Sequence, residues 1–179
     1  EYEDREDPEK CYLNYINKIY KSIDFSKCFL IIKMHPNDTV EPNIYKNQLK
    51  YFGIDEKEVL IIEPNNTTNV YDYVNISDLI ISRSSTIMEE SLLLKKKIIA
   101  FDLFEDGPSK YYDHLKEYPS YRTVIGNNVD LAKEIEMNFV NDSFNEDDYS
   151  KIVEDFTYKL DNGSSQRILN VFKHLSEKK

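Results

Sequence analysis

Three consecutive hydroxyl side chains, Ser84, Ser85 and Thr86, follow the apolar run Leu79 to Ile81 and precede the acidic pair Glu89-Glu90. Hydroxyls clustered at a turn donate hydrogen bonds to anions. With Leu79 to Ile81 as a strand, Ser82 to Ser85 as a turn, Thr86 to Leu94 as a helix and Lys97 to Phe101 as the next strand, the segment reads as a βαβ unit. Its turn then falls at the carboxyl edge of a parallel sheet, where the first free N–H groups and positive end of a helix favour phosphate. The order Thr86-Ile87-Met88-Glu89 also fits a T-x-x-E capping box. Capping accounts for one hydroxyl and one glutamate and leaves Ser84, Ser85 and Glu90 for a ligand.

A histidine stands in a matching place upstream. Cys28 to Met34 (CFLIIKM) is a continuous apolar run stopped by His35-Pro36-Asn37-Asp38, the pattern of a strand buried on both faces and closed by a proline turn. His35 is thereby placed at the carboxyl end of its strand, on the edge that carries the serine turn if both strands share a parallel sheet. A histidine there donates to phosphate or, protonated, stabilises charge on a leaving phosphate. A bare turn histidine beside a proline is the competing explanation.

These segments resemble a known group. The order K-x-H-P at Lys33 to Pro36, I-E-P at Ile62 to Pro64, S-D-x-x-I-S-x-S-S-T-x-x-E-E at Ser77 to Glu90 and D-N-G-S-S-Q-R-I-L at Asp161 to Leu169 is similar to the carboxyl-terminal half of GT-B glycosyltransferases. The resemblance runs from about Phe29 to Leu175. It points to CDP-glycerol glycerophosphotransferases of teichoic acid synthesis and to the HP/SS-motif sialyl- and Kdo-transferases of bacterial capsule and lipooligosaccharide. UDP-N-acetylglucosamine 2-epimerases are similar over the same segments, but usually show S-G-G where this chain has Ser84-Ser85-Thr86, which favours a transferase.

The resemblance implies roles position by position. His35 would contact the donor phosphates and assist departure of the nucleotide, acting as the catalytic residue of this half. Ser84, Ser85 and Thr86 would bind the same phosphates. Glu90 would hold ribose hydroxyls, and Glu63, Pro64 and Asn65 would lie by the base. The implied partners are a nucleotide-activated donor, CMP- or CDP-linked by preference, and a saccharide or lipid-linked acceptor. A homodimer and peripheral association of the full enzyme with the inner face of the bacterial membrane are compatible with this. No cofactor beyond the donor is implied. A sugar-nucleotide 2-epimerase and a non-catalytic α/β module, in which the motifs serve only as caps, are the alternative readings.

Elements to position these residues are expected throughout. Apolar residues at Tyr12, Ile16, Ile19 and Ile23 predict a helix over Pro8 to Ile23 with Asp7 as its cap. A helix over Asn43 to Phe52 closed by Gly53, a strand over Val59 to Ile62 and a helix near Asn69 to Asn75 follow. After the serine-turn unit, the stretch from Phe104 to Ser120 reads as irregular and Tyr121 to Ile125 as an edge strand. Asn128 is expected to cap a helix through about Phe139, with further helices near Asp147 to Leu160 and Ser165 to Leu175. Strands alternating with helices predict a single α/β domain, a Rossmann-like parallel sheet of about five strands with helices on both faces. The acidic opening leads straight into a helix, where such a half begins with a strand. The chain is therefore expected to be a piece of a longer enzyme, lacking the amino-terminal acceptor domain and its own first strand, and to bind nucleotide without turning over alone.

Composition narrows the classes. In 179 residues with 40% hydrophobic content there is enough for one substantial core. The net charge of −10 argues against nucleic-acid binding through a broad basic face. Cys11 and Cys28 form no bridge framework or metal-ligand spacing, and no Asp/His or Cys/His cluster supplies a metal site, so a divalent ion would be held by nucleotide phosphates. Apolar stretches fall well short of a membrane span, and a reduced, cytoplasmic compartment is expected.

Other residues carry weaker expectations. Glu105 to Ser109 reads first as a plain turn and second, because it follows the Lys97 strand at the ligand edge of the sheet, as a contact for the sugar. Arg83 pairs either with phosphate or with the acidic surface. Arg167 opposes its helix dipole and so calls for a tertiary partner, such as an acidic group on another helix, whereas Lys95, Lys96 and Lys97 need only solvent and a helix end. His114 and His174 are assigned no role.

Overall fold

The computed structural model describes residues 6–35, 41–64, 67–140, 144–157 and 159–176. Helix α1 (Pro8–Ser22) opens as its sequence dictates: Asp7 Oδ1 accepts the Lys10 N–H at 3.1 Å and Pro8 occupies the first turn. Strand β1 (Leu30–Lys33) starts later than the apolar run, because the Lys27 and Cys28 N–H groups bond to the Asp24 carbonyl in a turn. Then come α2 (Pro42–Phe52), β2 (Val59–Ile62), α3 (Val70–Ile76), β3 (Leu79–Ser82), α4 (Ile87–Leu93) and β4 (Lys97–Asp102). The left-handed Gly53, φ 66°, ends α2 by donating its N–H to the Leu49 and Lys50 carbonyls.

The stretch expected to be irregular holds a 3-10 helix over Pro108–Glu117, kinked at Tyr112. Beyond it lie β5 (Tyr121–Ile125), α5 (Leu131–Val140), α6 (Glu146–Thr157) and α7 (Ser164–Ser176). Asn128 does not cap α5. Asp130, directly before the first helical residue, accepts the Lys133 N–H at 3.1 Å and takes that place. Helix α6 stops at Thr157, short of Leu160.

The five strands among the described residues pair in parallel, but in two ladders: β1 with β2, and β3-β4-β5 in that order. The single sheet expected from the sequence is thus divided. Strand β4, flanked on both sides, buries Ile98 to Asp102 completely. Strand β1 has a ladder partner on one side only, and its four residues are half-buried, short of the burial on both faces that its apolar run predicts.

Three clusters make the core. Met88, Leu92, Ile98, Ala100, Tyr121 and Ile152 pack where α4 and α6 cover one face of the larger ladder. Ile99, Phe101, Val124, Leu131 and Ile135 fill the other face beneath α5. Met34, Tyr45, Leu49 and Val59 join the smaller ladder to α2. Helix α1 reaches both ladders: Tyr15 stacks on Phe101 of β4 with ring centres 5.0 Å apart, and Tyr12 meets Tyr45 of α2 edge-on at 5.9 Å. One helix therefore fastens the halves together.

The basic residues have specific partners. Lys95 pairs with Glu146, Lys96 donates to the Asn75 carbonyl and Lys97 to the Asn138 carbonyl, so the lysine run braces α3, α5 and α6 where solvent alone was expected. Arg167 pairs with Asp161 at 2.8 Å, in the turn just before its own helix. Among the described residues no helix is long and apolar enough to cross a membrane.

Candidate functional site

The serine turn is built by the end of β3. Arg83, next after the strand, turns inward and is buried, while Ser84 and Thr86 face solvent and Ser85 is half-buried. Thr86 is already in helical conformation, φ −58° and ψ −20°, and makes no side-chain cap. An N-cap needs extended backbone to swing its oxygen toward the N–H groups ahead, so the capping box is not formed. Ser85 Oγ accepts the Ile87 N–H at 3.3 Å instead. With seven residues α4 is too short to lend much of a dipole, and the anion-binding capacity of the turn rests on its hydroxyls.

Neighbouring elements hold the rest of the turn. The Ser84 hydroxyl hydrogen-bonds Tyr112 of the 3-10 helix, a contact that works against the burial raising the Tyr112 pKa. Glu90 accepts from the Tyr71 hydroxyl of α3, and that hydrogen bond raises the Tyr71 pKa. Glu89 lies 2.9 Å from His114, the histidine assigned no role from sequence. The two glutamates of α4 thus face opposite neighbours. Glu90 turns toward α3 and Glu89 toward the 3-10 helix.

The remaining candidates sit on the smaller ladder. The ladder bonds run one residue past β1, the Met34 N–H donating to the Ile62 carbonyl at 3.0 Å, and His35 follows as an exposed residue. Glu63, exposed, and Pro64, half-buried, follow the parallel neighbour β2. His35 and Glu63 therefore share the carboxyl edge of one ladder, and Ser84 to Thr86 occupy the carboxyl edge of the other. Asn65 and the proline of the HP pair lie outside the described residues.

A buried ion pair escaped the sequence reading. Arg83 Nε meets Asp102 Oδ2 at 3.2 Å, with the two side chains 9% and 0% exposed. Arg83 is thus tied to a carboxylate within the fold. The available signal was an acidic residue ending the apolar strand KIIAFD, which a buried strand end tolerates only with a cation or several N–H donors.

Elsewhere, a cleft lined by Asp78, Lys95, Lys96 and Lys97 lies at the amino ends of β3 and β4, the opposite edge from the serine turn. Its lysines are engaged by Glu146 and by the Asn75 and Asn138 carbonyls. Among the described residues no group of three His, Cys, Asp or Glu is placed to hold a metal ion.

Residues 17–173 match the family described as CDP-glycerol:poly(glycerophosphate) glycerophosphotransferase. No curated protein sequence matches. Among solved structures, a candidate UDP-N-acetylglucosamine 2-epimerase from Listeria monocytogenes superposes with a TM-score of 0.62 at 19% identity, over 98% of this chain and 43% of its own. The UDP-GlcNAc 2-epimerase of Methanocaldococcus jannaschii, solved in complex with UDP-GlcNAc and UDP, gives 0.50 at 23% identity, over 84% of this chain and 41% of its own. The chain spans less than half the length of either. The α/β architecture with parallel strands is the one these GT-B-like proteins share.

Proposed function

Because the chain belongs to the CDP-glycerol:poly(glycerophosphate) glycerophosphotransferase family, we propose that it is the donor-binding part of a transferase that uses a nucleotide-activated polyol or sugar, CDP- or CMP-linked, in building a bacterial surface polymer. The observation that carries the reading is the serine turn. Ser84 and Thr86 are presented to solvent at the carboxyl end of a parallel strand, and His35 is presented at the carboxyl end of another.

The chemistry divides among these groups. Ser84, Ser85 and Thr86 donate to the donor phosphate oxygens, Glu90 accepts from ribose hydroxyls, and Glu63, Pro64 and Asn65 border the base. With a CDP-glycerol donor, an acceptor hydroxyl oxygen forms a bond to the distal phosphorus while the bond from that phosphorus to the bridging oxygen breaks. CMP departs with the electron pair. His35 donates to the oxygen on which the charge develops, so its contact strengthens along the reaction and lowers the barrier. The acceptor and the base that takes its proton belong, in this reading, to a part of the enzyme beyond these residues.

The epimerase alternative draws on the superposed structures, which share the fold at low identity. Family membership and the Ser84-Ser85-Thr86 sequence favour the transferase. A thermal-shift panel of CMP, CDP, UMP, UDP and GDP tests the reading. CDP and CMP are expected to stabilise the chain, by ~2.7 kcal/mol at a hundred times the dissociation constant. Stabilisation by UDP alone would favour the epimerase, and no response to any nucleotide would overturn both.

A further inference from the structure

Asp102 is a junction. Its Oδ2 accepts from Arg83 Nε at 3.2 Å and its Oδ1 from the Phe104 N–H at 3.3 Å. Its own carbonyl accepts the Gly126 N–H at 2.9 Å, just past β5. Gly107 lies directly against the carboxylate, where a β-carbon would collide with it, so glycine is required there by close approach. Tyr15 of α1 is near enough for the Asp102 charge to add to the burial that raises its pKa. One fully buried residue, through its carboxylate and its carbonyl, thereby ties the serine turn, the loop after β4 and the end of β5 into a single block.

We propose that Arg83 and Asp102 are positioning residues of the donor site: their buried ion pair fixes the serine turn against the loop at 103–107, so that Ser84 to Thr86 offer their hydroxyls in one arrangement. The inference rests on the donor-site reading above. Its physical basis is the position of Arg83. It immediately precedes Ser84, so the backbone that aims the hydroxyls is anchored one residue away by a charge that cannot leave its partner without stranding a buried carboxylate. Ser84 is held from a second side by Tyr112, five residues after Gly107. Shifting the loop would therefore move both supports of the same hydroxyl. Preorganised binding groups of this kind lose affinity when the residues behind them are loosened, even though those residues touch no ligand.

A purely structural pair gives a different result from a positioning pair, and the double substitution Arg83→Met/Asp102→Leu separates them. Replacing a buried ion pair by apolar side chains of similar volume commonly preserves folding. The double variant is expected to keep its circular dichroism and a cooperative melt, while calorimetry with CDP and CMP shows roughly tenfold weaker binding. Affinity equal to that of the unaltered chain would overturn the proposal. Should the double variant fail to fold, Arg83→Lys serves: it keeps the charge and loses the planar guanidinium geometry. Several-fold weaker nucleotide binding with a cooperative melt retained is then expected, and unchanged binding would overturn the proposal. If the unaltered chain binds none of the nucleotides, the donor-site reading itself falls and this inference falls with it, an outcome distinct from tight binding that ignores the pair.

Discussion

A phosphate arriving at Ser84 meets a hydroxyl already hydrogen-bonded to Tyr112. Binding exchanges one neutral partner for a charged one, which strengthens the contact without ordering a new side chain. Net of the Tyr112 bond given up, losing this hydroxyl costs ~0.5 to 1.5 kcal/mol, so Ser84→Ala is expected to weaken nucleotide binding roughly threefold to tenfold in calorimetry. Glu90→Ala acts similarly through ribose and also releases Tyr71. A Ser84→Ala/Glu90→Ala variant with full affinity would leave this turn with no part in binding. His35 is tested by rate rather than affinity, in an enzyme that includes the acceptor part. If it stabilises the departing phosphate, His35→Ala lowers kcat on the order of 100-fold with a smaller change in KM. Normal turnover with weakened donor affinity would instead make it a ground-state ligand.

At the scale of elements, the start of α4 separates capping from display. Ser85 supplies the hydroxyl that accepts the Ile87 N–H, and Thr86 supplies none. Ser85→Ala is therefore expected to lower stability by ~0.5 to 2 kcal/mol in urea unfolding, and Thr86→Ala to leave it nearly unchanged. The reverse order would restore the capping box. This start shows what the sequence could and could not convey. Periodicity and punctuation placed α1, α2, the five strands and the serine turn close to their true bounds, because Asp7, Gly53 and the apolar runs act locally. Which residue caps a helix depends on backbone angles at one position, so Thr86 and Asn128 were each chosen over the neighbour that does the work, Ser85 and Asp130. The Arg83 and Asp102 pair was out of reach for another reason. Nineteen residues separate them, and only the parallel pairing of β3 with β4 brings their strand ends together.

At the scale of the molecule, α7 stands apart from the three clusters. Ile168, Val171, Phe172 and Leu175 are each more than half exposed, and no residue of the helix is buried. Charged substitutions there, such as Phe172→Glu, are expected to leave the melting temperature within about a degree or two, since exposed positions carry little folding energy. They should also reduce binding of a hydrophobic dye to the native chain. A marked fall in melting temperature would mean that the helix is packed in solution.

The bridge made by α1 has a consequence for the order in which the protein comes apart. The ladder of β3, β4 and β5 is covered by α4 and α6 on one face and by α5 on the other, whereas the ladder of β1 and β2 meets it through the aromatic faces of α1. Two units joined through a bridging helix open in sequence, the smaller first. Amide hydrogen exchange should then show two tiers of protection: slow amides in β4, flanked on both sides, and faster ones in β1 and β2 that rise and fall together with those of α1. Uniform protection across all five strands would instead make the molecule a single cooperative unit.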